Sequence, residues 1–593
     1  MQLSVQQQQA ADHIDGPALV LSVPGSGKTT VLLERIRRLQ AAGIDPSRIL
    51  TVTFSRVQAE DMRLRFGEDT DVSFFTIHSF CYQLVRGWLR AKNRQRRVIE
   101  GKGFNKYDLL RRLCIERYGR PIAKEETEEF FRIYGYLTNT RAETMKDCDE
   151  FYRTLLTDYD EAKQAHHFID FDDMLTLCLH ILETEPSWLK RLRDRFPYVQ
   201  LDEGQDTSRL QMDILRLIAA PNNNLFVLAD DDQSIYAFRG ADAQALLQFS
   251  AWYDDPSFYY LEHNYRSTPG ILESASRVIA NNTVRYKKTL RPVKEPAGPV
   301  VHKIVPNLKK QLQVLLRAAR ADDGKITAIL YRNRVSGLPV AAMLAKHGIP
   351  YTVCHAWDDI RTHPIVRDVF SFLRLAENPL DADAFLSVYY KIGAYISKEQ
   401  ALLASEAGDH RSVWDALAAL GDLPDWRADQ LRGVSKKWSR LRRMPFAKRI
   451  AYIESELNYG DYVREWARRQ TFSDNTGQLI DILKAFSAQA ESVEELSSLL
   501  SPKSADGNGT VVLSTIHGSK GLEYDRVFLI DLIQAEFPGN CGDDPDEIAV
   551  LEEERRLFYV GMTRAKEELT LISLAHRNER SCEPSQFIQE IKR

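Results

Sequence analysis

Ser22-Val23-Pro24-Gly25-Ser26-Gly27-Lys28-Thr29-Thr30 follows the apolar run Ala18-Leu19-Val20-Leu21 without a break. The run reads as a buried strand, the glycines as a tight turn, and the residues after them as a helix whose N-terminal N–H groups and dipole face an anion. Gly25 and Gly27 let the backbone approach a phosphate closely. Lys28 is placed to reach β and γ phosphates, and the Thr29 hydroxyl to complete the shell of a Mg²⁺ ion that keeps most of its waters. Ser22 stands where the pattern usually has Ala or Gly. ATP and Mg²⁺ are therefore expected, with Gly25, Ser26, Gly27, Lys28, Thr29 and Thr30 around the phosphates.

A phosphate cradle needs a partner that holds the metal and aims water. Tyr198-Val199-Gln200-Leu201-Asp202-Glu203 puts two carboxylates at the end of a mostly apolar strand. Asp202 is assigned to the metal and Glu203 to the attacking water, a role that demands in-line geometry more than an unusual pKa. Ala229-Asp230-Asp231-Asp232-Gln233-Ser234-Ile235-Tyr236-Ala237-Phe238-Arg239-Gly240-Ala241 follows after a short gap.

The chain has 593 residues, too many for one core. With 79 basic and 83 acidic residues, a polyanion partner must be met by local patches. Two qualify: Arg86 to Lys106, and Arg432 to Arg449, the latter without an acidic residue. The seven cysteines contain no Cys-x-x-Cys pair, which argues against zinc, an iron–sulfur cluster or a disulfide framework. A reducing cytoplasm is expected. No run approaches the ~20 apolar residues of a membrane span, and the N-terminus lacks a basic-then-apolar signal.

Strand-then-helix alternation recurs at 17–23, 49–54, 198–201, 225–229, 327–331 and 511–530, as expected of parallel sheets covered by helices. Long segments at about 89–185 and 377–507 read as helical insertions. The turn-forming stretch Pro502 to Gly509 hands the second back to a strand.

From end to end, the motifs in their order resemble the superfamily 1A DNA helicases of the UvrD/Rep/PcrA group. Leu3-Ser4-Val5-Gln6-Gln7 is similar to the family's adenine-reading motif, with Gln7 as reader and Arg35 as a neighbour on the base. Thr51 to Ser55, including Thr53 and Phe54, and Thr76-Ile77-His78-Ser79-Phe80, including Thr76 and His78, resemble segments that hold single-stranded DNA. Ile169 to Leu175 is similar to the segment that closes the first insertion. Leu261 to Thr268 resembles the motif whose tyrosine, here Tyr265, stacks on adenine and whose arginine, here Arg266, meets the γ-phosphate. Thr515 to Glu523, with His517 on DNA and Glu523 on the ribose, and Glu552 to Ala565, with Arg564 on the γ-phosphate, complete the set.

The resemblance implies an α/β fold of two RecA-like P-loop motor domains, each carrying a mainly helical insertion. The expected boundaries are 1–88 with 186–268 for the first motor domain and 89–185 for its insertion. They are 269–376 with 508–593 for the second, and 377–507 for a shortened second insertion. It also implies a 3′-to-5′ motor on single-stranded DNA that opens tailed duplexes in repair, replication or recombination. Arginines on the equatorial oxygens of a departing γ-phosphate are worth about 10³–10⁵ in rate in related chemistry. With Arg564 on the second motor domain and Lys28 on the first, hydrolysis would require a closed cleft. Gln233 is expected to sense the γ-phosphate and signal to Tyr236, Phe238 and Arg239, which hold the strand. Base stacking on such rings is worth about 1–3 kcal/mol per base and reads no sequence.

Three places depart from the family pattern; the first two remove no charge that catalysis needs, and the third bears on duplex contact. Gly204 replaces a bulky residue, His263 replaces glutamine, and the family's duplex-gripping glycine turn survives only as Lys391-Ile392-Gly393. Two alternatives therefore stand beside the autonomous helicase: a single-strand translocase that opens duplex poorly, and a nucleotide-gated subunit that needs a nuclease or recombinase partner, as in repair or antiviral assemblies.

Overall fold

The computed structural model describes residues 3–67, 70–101, 103–142, 148–241, 246–298, 300–321, 323–354, 359–406, 412–420, 424–468, 476–504, 509–539, 545–577 and 580–592. They divide into two compact units, the first from 1–298 and 543–563 and the second from 299–542 and 564–592.

The first unit is built on a six-stranded sheet: β1 (Ala18–Ser22), β2 (Ile49–Thr53), β3 (Ser73–Thr76), β4 (Tyr198–Leu201), β5 (Leu225–Ala229) and β6 (Ser257–Leu261), in the order β3-β2-β4-β5-β1-β6. Every pairing is parallel. Strands β1, β2, β4 and β5 are buried along their whole length, which is why they read as continuous apolar runs. The edge strands β3 and β6 are half-buried and carry no such run.

The second unit repeats the plan with β7 (Val301–Val305), β8 (Thr327–Tyr331), β9 (Tyr351–Val353), β10 (Val511–Thr515), β11 (Tyr524–Leu529) and β12 (Ala565–Leu574), in the order β7-β12-β11-β8-β10-β9, again all parallel. The expected strand 511–530 is two strands, separated by the 3₁₀ turn His517–Ser519.

The helical segments differ in extent from the expected insertions. Helices Ile77–Ala91 and Phe171–Thr184 pack under the first sheet through Phe80, Leu84, Leu175 and Cys178. The separate helical core therefore lies between the paired strands Arg97–Val98 and Phe168–Ile169, around Leu110, Phe130, Leu155 and Tyr159. At its base Lys163 Nζ, buried, lies 2.9 Å from Asp170 and 3.0 Å from Asp173. In the second unit the helical core already includes Pro364–Glu377, through Ile365, Val369 and Phe372.

The division between units also falls later than the expected 268. Residues 269–298 and helix Pro545–Met562 belong to the first unit. For 269–298 one tie is electrostatic. Asp230, Asp231 and Asp232 follow β5, buried, and Lys288 Nζ stands 2.7, 2.6 and 3.2 Å from their oxygens. Arg285 adds a two-pronged pair of 2.7 Å bonds to Asp232. Among the described residues this is the only group of three or more His, Cys, Asp or Glu side chains spaced to hold one metal ion, and what stands among them is the Lys288 ammonium group. Without Lys288, Asp230 and Asp231 would lose the ammonium they share, and Asp232 would keep only Arg285. We expect Lys288→Met to lower the stability of the first unit by about 3–5 kcal/mol, read as a lower urea midpoint for that unit's transition, with Lys288→Arg losing less.

Candidate functional site

Ser22, buried at the end of β1, donates its hydroxyl to Ala229 O at 3.0 Å, so the polar residue at this position is satisfied by the neighbouring strand. The loop then turns through Gly25 and Gly27, at φ of 62° and 79°, into helix Lys28–Ala41. A Cβ on Gly25 would fall 2.6 Å from Arg266 Cβ, and one on Gly27 2.8 Å from Gln7 Nε2. Both glycines are demanded by backbone conformation, and Gly25 also by the Arg266 Cβ that packs on it. Asn264 holds that packing together. Its Nδ2 donates to Pro24 O at 2.5 Å, and its Oδ1 accepts from the N–H groups of Arg266 (2.9 Å) and Ser267 (2.8 Å). Tyr265 N donates to Gly25 O at 3.0 Å. The Tyr265 ring is exposed beside the loop, and Arg266 Nη1 donates to Thr563 O at 3.3 Å. Gln7 Nε2 donates to Ser26 O at 2.9 Å.

The two carboxylates stand where β4 ends. Asp202 is 2 % exposed, and its Oδ1 accepts from Glu203 N at 3.0 Å. Burial, with Glu203 beside it, pushes the Asp202 carboxyl up to about 7 against the opposing pull of Lys28. Glu203 has φ 54°, a left-handed conformation uncommon outside glycine and costly enough to persist only where its surroundings impose it. Lys28 Nζ lies 3.4 and 3.5 Å from its two oxygens. Gln205 Nε2 donates to Glu203, and Gln205 Oε1 accepts from Asp230 N at 2.9 Å. Gln233 Nε2 donates to Asp230 Oδ2 at 2.6 Å. Gln205 and Lys288 are the two members of this chain that the sequence reading missed. Gly204 has a steric reason, since a Cβ there would meet Val227 Cγ1 at 2.5 Å.

These residues fit a polyphosphate carrying a hard divalent cation. The loop is a nest of left-handed glycines, the Ser26 hydroxyl is buried without a hydrogen-bond partner, and the raised Asp202 carboxyl is short of positive charge.

A row of rings lies in the same unit. Phe54, 38 % exposed, stacks on Tyr236 with centroids 5.0 Å apart and planes 17° from parallel. Tyr236 meets Phe238, 44 % exposed, at 6.0 Å. His78, half-buried and held below the usual imidazole range by burial, sits edge-on to exposed Phe171 at 6.3 Å. Thr76 caps helix Ile77–Ala91 by accepting from Ser79 N at 3.2 Å.

Residues 3–254 match the UvrD/REP helicase N-terminal domain, and residues 259–402 and 430–576 match the UvrD-like helicase C-terminal domain. The chain belongs to the UvrD/Rep/PcrA helicases. It is 29 % identical to YjcD of Bacillus subtilis strain 168 over 99 % of its own length and 80 % of that protein's. It is 26 % identical to the ATP-dependent DNA helicase PcrA of Staphylococcus epidermidis, and 27 % to that of Staphylococcus aureus strain Mu50, over 99 % of its own length and 86 % of theirs.

Within this helicase the phosphate loop, Asp202, Glu203, Gln233, Tyr265, Arg266 and the ring row all belong to the first unit, whereas His517, Glu523 and Arg564 belong to the second. Arg564 is buried, with Nη1 on Leu522 O at 3.2 Å, and Glu523 pairs with Lys566 at 3.1 Å. The side chain of Arg239 lies outside the described residues.

Two assignments need correction. Arg35 is 0 % exposed, donates to His13 O, Ile14 O and Gln200 Oε1 at 2.8–3.0 Å, and lies over the Phe226 ring, so it ties the helix to the sheet and cannot touch a base. Thr53 is 2 % exposed and gives its hydroxyl to Gln58 at 3.1 Å, which keeps it off a DNA strand. Lys391 is likewise turned inward, 2.6 Å from Asp368. We expect Arg35→Met to leave nucleotide affinity within about twofold, read by fluorescent-nucleotide titration, while costing about 3 kcal/mol of stability through its stranded acceptors.

Proposed function

We propose that this protein hydrolyses ATP to move 3′ to 5′ along single-stranded DNA and to separate duplex strands. One observation supports it above the others: the loop 230–238 carries Gln233, joined through Asp230 and Gln205 to Glu203, and three residues later begins the ring row with Tyr236. A group that senses the γ-phosphate and a group that stacks on a base thus share one short backbone segment. The 3′-to-5′ direction rests on family membership.

In this reading Lys28 draws on the β and γ phosphates, and Thr29 and Asp202 hold Mg²⁺, which would neutralise charge on the same oxygens. Glu203 orients the attacking water, and its left-handed backbone aims the carboxylate across the loop toward Lys28. Gln7 and Tyr265 receive the adenine, and Arg266 supplies charge to the departing phosphate. The roles of Glu523, Arg564 and His517 in the second unit stay part of the proposal. Single-stranded and tailed duplex DNA are the partners, with no helix among the described residues long and apolar enough to cross a membrane.

A second reading, a translocase that opens duplex poorly without a repair, nuclease or recombination partner, is favoured by one feature. Lys391, where the family has a duplex-gripping glycine turn, spends its charge on buried Asp368, itself held by Tyr459 at 2.8 Å.

Strand separation on matched duplexes with a 3′ tail, a 5′ tail or none decides between them. Activity confined to the 3′-tailed duplex supports the helicase; ATP consumption without strand separation supports the translocase. Glu203→Gln is expected to bind ATP and DNA yet lose about 10²–10⁴ in turnover, and a normal rate would remove Glu203 from its role. Phe238→Ala is expected to raise the ATP spent per base moved, measured by translocation along oligonucleotides of increasing length.

A further inference from the structure

Helix Pro545–Met562 touches both ends of the machinery in the first unit. Midway along it, Glu553 Oε1 accepts a hydrogen bond from Ala237 N at 3.1 Å. Ala237 is the residue between Tyr236 and Phe238, so this carboxylate holds the backbone of the ring loop itself. Ten residues on, about 15 Å along a helix axis, Thr563 O accepts from Arg266 Nη1 at 3.3 Å.

Beside and after Glu553 the helix is strapped to the segment 282–288. Glu552 Oε1 accepts from Thr283 N at 2.6 Å and from its hydroxyl at 2.8 Å, Arg555 Nη1 donates to Asn282 Oδ1 at 2.6 Å, and Arg556 Nη2 donates to Val284 O at 3.0 Å. The same segment ends in Arg285 and Lys288, which bind the aspartates that carry Gln233. One stiff helix is therefore bonded to the ring loop, to the arginine beside the phosphate loop and, through the strap, to the phosphate sensor.

We infer that Glu553 is a positioning residue that couples occupancy of the ring row to ATP hydrolysis, by fixing the Ala237 backbone to helix Pro545–Met562. A base entering the ring row displaces the loop; the Ala237–Glu553 bond passes that displacement to the helix, and the helix passes it to Arg266 and the strap. The bond needs an acceptor at the Glu553 position, which an amide oxygen also supplies. The inference rests on the proposed DNA-dependent ATPase, and goes beyond it in naming the contact that transmits the signal.

The test uses the full-length protein, ATP, and a dT oligonucleotide as probe, comparing wild type with Glu553→Ala and Glu553→Gln. Three quantities are read: the ATPase rate without DNA, the rate at saturating oligonucleotide, and oligonucleotide affinity. Glu553→Ala is expected to lose at least tenfold of the stimulation, with the DNA-free rate and the affinity within twofold of wild type. Glu553→Gln, whose amide oxygen still accepts from Ala237, is expected to keep at least half of it. Full stimulation of Glu553→Ala would overturn the inference, as would equal loss in Glu553→Gln, or a fall in the DNA-free rate that matched the fall in the stimulated one. A wild-type rate indifferent to the oligonucleotide would overturn the DNA-motor reading as well, so the two failures are told apart by the wild type alone.

Discussion

Three carboxylates in a row are buried at the end of β5 because one ammonium group stands among them. Lys288 is 1 % exposed at its side chain and lies within 3.2 Å of oxygens of Asp230, Asp231 and Asp232. Removing one member of so buried a set costs far more than an exposed ion pair contributes. The consequence is positional. Asp230 is held by Lys288 on one oxygen and receives Gln233 on the other, while its N–H reaches Gln205 and, through it, Glu203. Glu203 and Gln233 are therefore joined, through Asp230 and Gln205, to a residue far along the chain that touches neither.

Strain and packing concentrate at the same place. Glu203 is left-handed, and the next residue is a glycine whose Cβ would strike Val227. A left-handed non-glycine residue persists only where its surroundings over-determine it. Here the surroundings are Lys28, Gln205 and the Asp202 carboxylate that takes the Glu203 N–H. Asp202 is raised by burial, with Glu203 beside it, against the pull of Lys28. Together these features describe a site whose protein part is organised before any substrate arrives.

The parts of this arrangement legible in the sequence are those whose chemistry is local. The loop 22–30 declares itself because glycine, lysine and threonine at that spacing have few other uses, and β1, β2, β4 and β5 because strands buried on both faces are apolar throughout. The edge strands Ser73–Thr76 and Ser257–Leu261 are half-buried and carry no such signature. Pairings across long stretches of chain were also hidden. Nothing near Lys288 announces the aspartates some 56–58 positions earlier, so the first unit was expected to end at 268 instead of 298. Arg35 and Thr53 were misplaced for a related reason: adjacency to a motif says which segment is involved, whereas only the fold says which face of the helix or strand each side chain occupies. Both turn inward, whereas the rings of Phe54, Phe238 and Phe171 are exposed.

If the phosphate loop and the ring row form one coupled device, linkage between their ligands must be reciprocal. The most direct measurement is the affinity of the protein for a dT oligonucleotide with and without a non-hydrolysable ATP analogue, paired with its affinity for the analogue with and without the oligonucleotide. Coupling predicts that each ligand changes the affinity of the other, and by the same factor. Two affinities that do not respond to one another would contradict it.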